Sequence, residues 1–188
     1  MQKRKIYSIL YSFIILMITS CVKDVDFDQA DDFSLTPVLA ASVVYTNVEA
    51  SRFSENGMEL ETVSDTIANI EIFTDDFVID NLVKAELIFE ATNSINRTFG
   101  LQVDFLNEID EIQHSFLFDA SPSPLGDEVL TEYIEVFEDV TLEALKMTRK
   151  MIITLRLYPS NDGSSLDEDS AGEIGLKSRG TFYLNLSL

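Results

Sequence analysis

Among 188 residues there is one cysteine, one histidine and no tryptophan. One thiol cannot close an internal disulfide, and the pair cannot build a Cys/His metal cluster. Any Ser-His-Asp triad or histidine-containing metal site has to run through His114, and no serine or cysteine partner for it can be named. Without tryptophan, a sugar-stacking surface would fall to the six tyrosines. Basic residues are scarce: 13 against 33 acidic, for a net charge of −20. Three of the 13 (Lys3, Arg4 and Lys5) lie in the first 20 residues, which hold no acid, so the remainder carries −23. Such a charge repels phosphate backbones and excludes nucleic acid as a partner. It gives no polybasic attraction to anionic lipid. It makes a soluble, self-repelling surface, with a cationic or calcium-bearing partner as the sharper alternative. There are only seven glycines and four prolines, no Gly-rich phosphate loop, no internal repeat and no Pro/Gly/Ser linker splitting the body.

The first 20 residues have a distinct pattern. Lys3, Arg4 and Lys5 precede an apolar stretch from Ile6 to Ile18, then Thr19 and Ser20. That stretch is too short for a comfortable permanent span and has the length of a signal-peptide core. Ile18-Thr19-Ser20-Cys21 resembles a lipobox, in which a branched apolar residue and two small residues precede the cysteine read by lipoprotein-processing enzymes. The basic start, apolar run, small pair and sole cysteine coincide. The resemblance implies that residues 1–20 are removed and that the Cys21 thiol becomes a diacylglyceryl thioether. The new amino terminus would receive a further acyl chain such as palmitate. Two or three chains anchor stably where one does not.

Val22 follows Cys21 where an Asp would mark inner-membrane retention in enteric bacteria, and Asp24, Asp26, Asp28, Asp31 and Asp32 follow it. This tract is similar to the acidic export tract of small outer-membrane and surface lipoproteins of the Bacteroidetes type. The resemblance implies an outer-membrane address with exposure at the cell surface. Residues 21–36 then form a lipidated acidic tether closed by Thr36-Pro37, and 37–188 form the body.

From residue 38 onward, apolar residues recur with period two, the mark of strands with one buried face. Val83–Ala91, Phe99–Phe105 and Ile112–Phe118, joined by short polar connections, read as an antiparallel meander. Further strands are expected at Val38–Val48, Asp65–Thr74, Leu130–Glu138, Lys150–Tyr158 and Gly180–Ser187. One short helix is expected at Thr141–Arg149, with Thr141 as its cap and basic residues near its end. The fold class is all-β: an antiparallel β-sandwich of about eight strands, immunoglobulin-like, with one short helix.

The candidate chemistry is sparse. His114 shares the register of Ile112, Phe116 and Phe118 and reads as a hydrogen-bonded structural histidine. Asp162, Asp167, Glu168 and Asp169 lie in the long polar stretch 160–172, expected to be mobile, and could offer oxygen ligands to calcium. Their spacing is not that of a calcium loop, and a solvated acidic loop is the better reading. The same holds for Asp75, Asp76 and Asp80. Paired carboxylates for hydrolysis are too numerous to single out. Asn96-Arg97-Thr98 spells a glycosylation acceptor that a bacterial leader makes incidental. The expectation is a non-enzymatic module without cofactor or metal. It is held to the membrane by lipid on Cys21 and engages an outer-membrane or extracellular protein or glycan through loops at the ends of the sandwich. A calcium-dependent glycan-binding or adhesion module and a carboxylate hydrolase are the rivals.

Overall fold

In the computed structural model the described residues are 34–187, apart from 69 and 161. Residues 34–186 form a compact body. The leader, Cys21 and most of the tether lie outside the described residues.

Eight long strands build the body: β1 (Val38–Glu49), β2 (Thr62–Ala68), β3 (Leu82–Asn93), β4 (Phe99–Leu106), β5 (Ile112–Ala120), β6 (Val129–Phe137), β7 (Lys150–Leu157) and β8 (Glu173–Leu184). They form two four-stranded antiparallel sheets, ordered β1-β8-β3-β6 and β2-β7-β4-β5. Burial alternates along β3, β6, β7 and β8 as the period-two pattern requires.

The sandwich and the strand number agree with the sequence reading, but the immunoglobulin-like strand order does not. An immunoglobulin sandwich pairs its first two strands and keeps them in one sheet. Here β1 pairs with β8, and only β4 and β5 are neighbours both in sequence and in a sheet. This is the jelly-roll order, two Greek keys wound together. The expected three-strand meander is therefore half correct: β4 and β5 form a hairpin, whereas β3 and β4 lie in opposite sheets. The reason is in the connection at 94–98. Ile95 and Arg97 are buried there, so the chain dives across the sandwich end instead of folding back in the plane of β3.

Two α-helices are present among the described residues, α1 (Asp76–Asn81) and α2 (Asp139–Met147), where one was expected. A 3-10 turn at Glu71–Phe73 stands where the end of a strand at 65–74 was expected, and α1 takes up the acidic residues after it. Asp75 caps it, accepting a hydrogen bond from Val78 N at 3.2 Å, and Asp76 lies in its first turn. α2 begins two residues before Thr141, and its cap is Glu138. The Thr141 hydroxyl accepts from Glu138 N at 3.0 Å and donates to Glu138 O at 2.8 Å. β8 starts at Glu173, seven residues before its expected beginning, because Gly175, Ser178 and Gly180 dilute its apolar alternation.

The core lies between the sheets, and its largest fully buried side chains are phenylalanines. Phe89 of β3 meets Phe116 of β5 with ring centroids 5.0 Å apart, and Phe105 of β4 meets Phe137 of β6 at 5.4 Å. Both pairs cross from sheet to sheet, so each adds a specific ring contact to its burial. Phe53, from the β1–β2 connection, caps the core against Phe99 at 5.0 Å.

The connections divide into two poles. The β1–β2, β3–β4, β5–β6 and β7–β8 loops meet at one end, tied by Ala50 N to Gly172 O, Ser94 N to Glu173 O, Ser123 N to Ile95 O and Tyr158 N to Thr98 O. The other end carries both helices. There Arg149 N donates to Leu106 O, and Leu184 N to Pro37 O, just before β1.

Candidate functional site

The loop pole is built around two buried polar side chains. Asn93, at the end of β3, is fully buried. Its amide nitrogen donates to Arg97 O and Ser121 O, each at 2.8 Å, and its oxygen accepts from Ile95 N at 2.9 Å. One side chain thus pins the β3–β4 turn to the β5–β6 loop. Arg97 is 3% exposed. Its Nε donates to Tyr158 O at 3.2 Å, Nη1 to Ser164 O, and Nη2 to Glu59 Oε1 at 2.8 Å. Glu59 Oε1 also accepts from Leu166 N at 2.6 Å. The guanidinium therefore ties the β1–β2 and β7–β8 loops to the β3–β4 turn. A buried charge stays only where it is paired and hydrogen-bonded, and here each guanidinium nitrogen has a partner.

That network fastens part of the segment expected to be mobile at 160–172: Ser164 and Leu166 bond to Arg97 and Glu59, and Asp162 and Asp167 serve local turns. Asp162 Oδ1 accepts from Ser164 N at 2.9 Å and from the Ser160 hydroxyl. The Ser160 and Ser164 side chains lower the Asp162 pKa from its ordinary value. Asp167 Oδ1 accepts from the Ser170 hydroxyl at 2.7 Å and from Asp169 N at 3.1 Å. Among the described residues no group of three or more acids or histidines is arranged to hold a metal ion.

Two clefts open at this pole. The first, about 620 Å³, is lined by Glu49, Glu128, Glu168, Asp169 and Glu173 with small residues between them. Gly172, at φ +103°, lets the loop pass against Ser94 O, where a Cβ would approach to 3.0 Å. Of the acids singled out in sequence, Glu168 and Asp169 reach this cleft, while Asp162 and Asp167 are not in its lining. Asp75, Asp76 and Asp80 belong to α1 and its cap.

The second cleft, about 550 Å³, lies between Glu59, Glu61, Thr62, Arg97, Arg156, Tyr158 and Pro159. Arg156 and Tyr158 share the outer face of the strand line of β7. The Tyr158 hydroxyl donates to Asp119 Oδ1 at 3.1 Å across Gly100, where a Cβ would come within 2.8 Å of it. That hydrogen bond, then desolvation, raises the Tyr158 pKa.

His114 lines neither cleft. It sits on β5, an outer strand of its sheet, with Nε2 2.6 Å from Glu135 Oε1 on β6, an outer strand of the other sheet. Tyr133 donates to Glu135 Oε2 at 2.8 Å, and the His114 ring packs 5.0 Å from Phe137. The histidine is thus hydrogen-bonded and fastens the two sheets along one edge. Its residue pairing shifts by one at Phe105/Leu106, which leaves Ile112 exposed although it was read as a core position. Sequence reasoning missed Asn93, Arg97, Arg156 and Tyr158. Arg97 was noticed only within a glycosylation acceptor; its available signal was a lone basic residue in a short turn between two strongly apolar strands.

No family model and no curated protein matches the sequence. Solved structures resemble the chain at low identity. A protein of Parabacteroides distasonis described as secreted is 14% identical over 63% of this chain and 36% of its own, with a TM-score of 0.48. The infectious bursal disease virus VP2 subviral particle is 8% identical over 79% of this chain and 32% of its own, with a TM-score of 0.44. A carbohydrate-binding module of the CBM4 type is 8% identical over 73% of each chain, with a TM-score of 0.33. The chain spans about a third of the length of the first two. No helix among the described residues is long and apolar enough to cross a membrane.

Proposed function

We propose that this chain is an exported lipoprotein, anchored through Cys21 in the outer membrane and exposed at the cell surface, whose jelly roll is a non-catalytic binding module. The observation that supports it is the polarity of the body. β1 leaves the helix-bearing pole at Val38, on the side of the chain that leads back to Cys21, and reaches the loop pole at Glu49, which lines the first cleft. Twelve extended residues cover about 40 Å. The chain from the N-terminal side therefore enters the body at the pole opposite the two clefts, away from the loops that line them. A loop end stiffened by Asn93 and Arg97 suits recognition, because a preorganised surface loses little entropy on binding. The one histidine lies outside both clefts, so it serves neither as a general acid nor as a general base there.

The test is capture of the native lipidated protein from its membrane, with identification of what co-purifies. One variant carries a bulky insertion after Gly126, an exposed turn of the cleft pole; another carries it after Ile109 at the opposite pole. The expected result is a stoichiometric protein or glycan, lost only with the insertion after Gly126. Recovery of the chain alone, or loss only with the insertion after Ile109, contradicts the proposal. Protease treatment of intact cells checks orientation: cleavage is expected, and protection would refute surface exposure.

A further inference from the structure

The geometry points to the second cleft as a binding site for a neutral saccharide, with Tyr158 as its apolar wall and Arg156 and Glu61 as its polar flanks. This rests on reading the chain as a binding module and adds the class of ligand.

Tyr158 is held at both ends. Its backbone N donates to Thr98 O at 3.1 Å and its hydroxyl to Asp119 Oδ1 at 3.1 Å. Gly100 lies directly beneath the hydroxyl end, where any side chain would displace the ring. A tyrosine fixed this way offers an oriented flat apolar surface at little entropic cost. Pro159 lines the same cleft.

Arg156 is exposed, and among the described residues it has no carboxylate partner, in a chain with 33 acids. Its donors are therefore available on the face it shares with Tyr158. Glu61 is exposed on the same cleft and supplies acceptors, whereas Glu59 Oε1 is already occupied by Arg97 and Leu166. The rim thus offers donors and acceptors beside an apolar wall. It also carries charges of both signs, so neither a simple anion nor a simple cation is favoured there. The net charge of −20 further disfavours a polyanion. A neutral sugar fits this combination: its C–H face is apolar, and its hydroxyls both donate and accept. The volume, about 550 Å³, is that of an ordinary small-ligand cleft.

The purified lipidated chain, in a sugar-free detergent, is run on native gels containing mannan, xylan, dextran or galactan, with polygalacturonate and polylysine as charged controls. Retardation by at least one neutral polysaccharide is expected. Arg156→Ala, at an exposed position, and Tyr158→Leu should each weaken it on the order of tenfold, the scale of one lost polar or stacking contact. Glu128→Gln, in the acidic cleft, should leave it unchanged. No retardation by any neutral polysaccharide overturns the saccharide site, as does retardation by a charged polymer alone or indifference to Arg156→Ala. In those cases a partner still captured through the cleft pole leaves the binding-module reading standing; failure of both experiments removes both.

Discussion

At the scale of single residues, the loop pole depends on side chains that would each leave buried partners unsatisfied if removed. Arg97→Ala strips donors from two carbonyls and separates Glu59 from its cation. Breaking a buried pair from one side costs about 3–5 kcal/mol, and the partial exposure of Glu59 argues for the lower end, about 3 kcal/mol. Urea unfolding should show a lower midpoint with little change in slope; an unchanged midpoint would mean that the guanidinium does not fasten the pole. Tyr133 gives a pH-dependent check on the His114 edge. Desolvation, then its bond to Glu135, raises its pKa above the ordinary value near 10. The folded chain therefore keeps a proton that the unfolded chain releases. The contribution is fully present below about pH 10 and lost as pH rises through the folded value. Tyr133→Phe should make the fall in urea midpoint above pH 10 shallower; an identical fall in both proteins would contradict the assignment. These residues were hard to read from sequence because polar type does not reveal burial. Asn93 ends a strand and Arg97 sits in a sequon, and both look like ordinary turn residues. His114 was legible because its register placed it beside Phe116 and Phe118.

At the scale of elements, period two carried most of the information. It located β3, β4 and β5 closely because their buried faces are nearly unbroken rows of Phe, Leu, Val and Ala. It failed at the first half of β8, where Gly175 and Ser178 occupy strand positions that larger residues usually fill. It also extended β2 too far, because Ile70, Ile72 and Phe73 are apolar for a different reason: they plug the core from a connection. α2 was found, but its start was not, since Thr141 works from the third helical position back onto Glu138. Thr141→Ala should therefore cost about 1 kcal/mol, as for other N-terminal caps, read as a lower melting temperature. A full loss of fold would show that α2 does more than close the pole.

At the scale of the whole molecule, the sandwich was legible and its winding was not. Alternation says that a strand has one buried face, but not which sheet it joins. The choice is made by connections such as 50–61 and 69–81, which bury Phe53, Ile70, Phe73 and Val78 over the ends of the core and so lead the chain from sheet to sheet. The outcome is a jelly roll with its clefts at one pole and the start of β1 at the other, an arrangement that suits a chain tethered from its N-terminal side. The most direct test of that account is mass spectrometry of the N-terminal peptide of the native protein. The expected peptide begins at Cys21 and carries a diacylglyceryl group on sulfur, with or without an acyl chain on nitrogen. A peptide with Cys21 unmodified, or with residues 1–20 still attached, would contradict it.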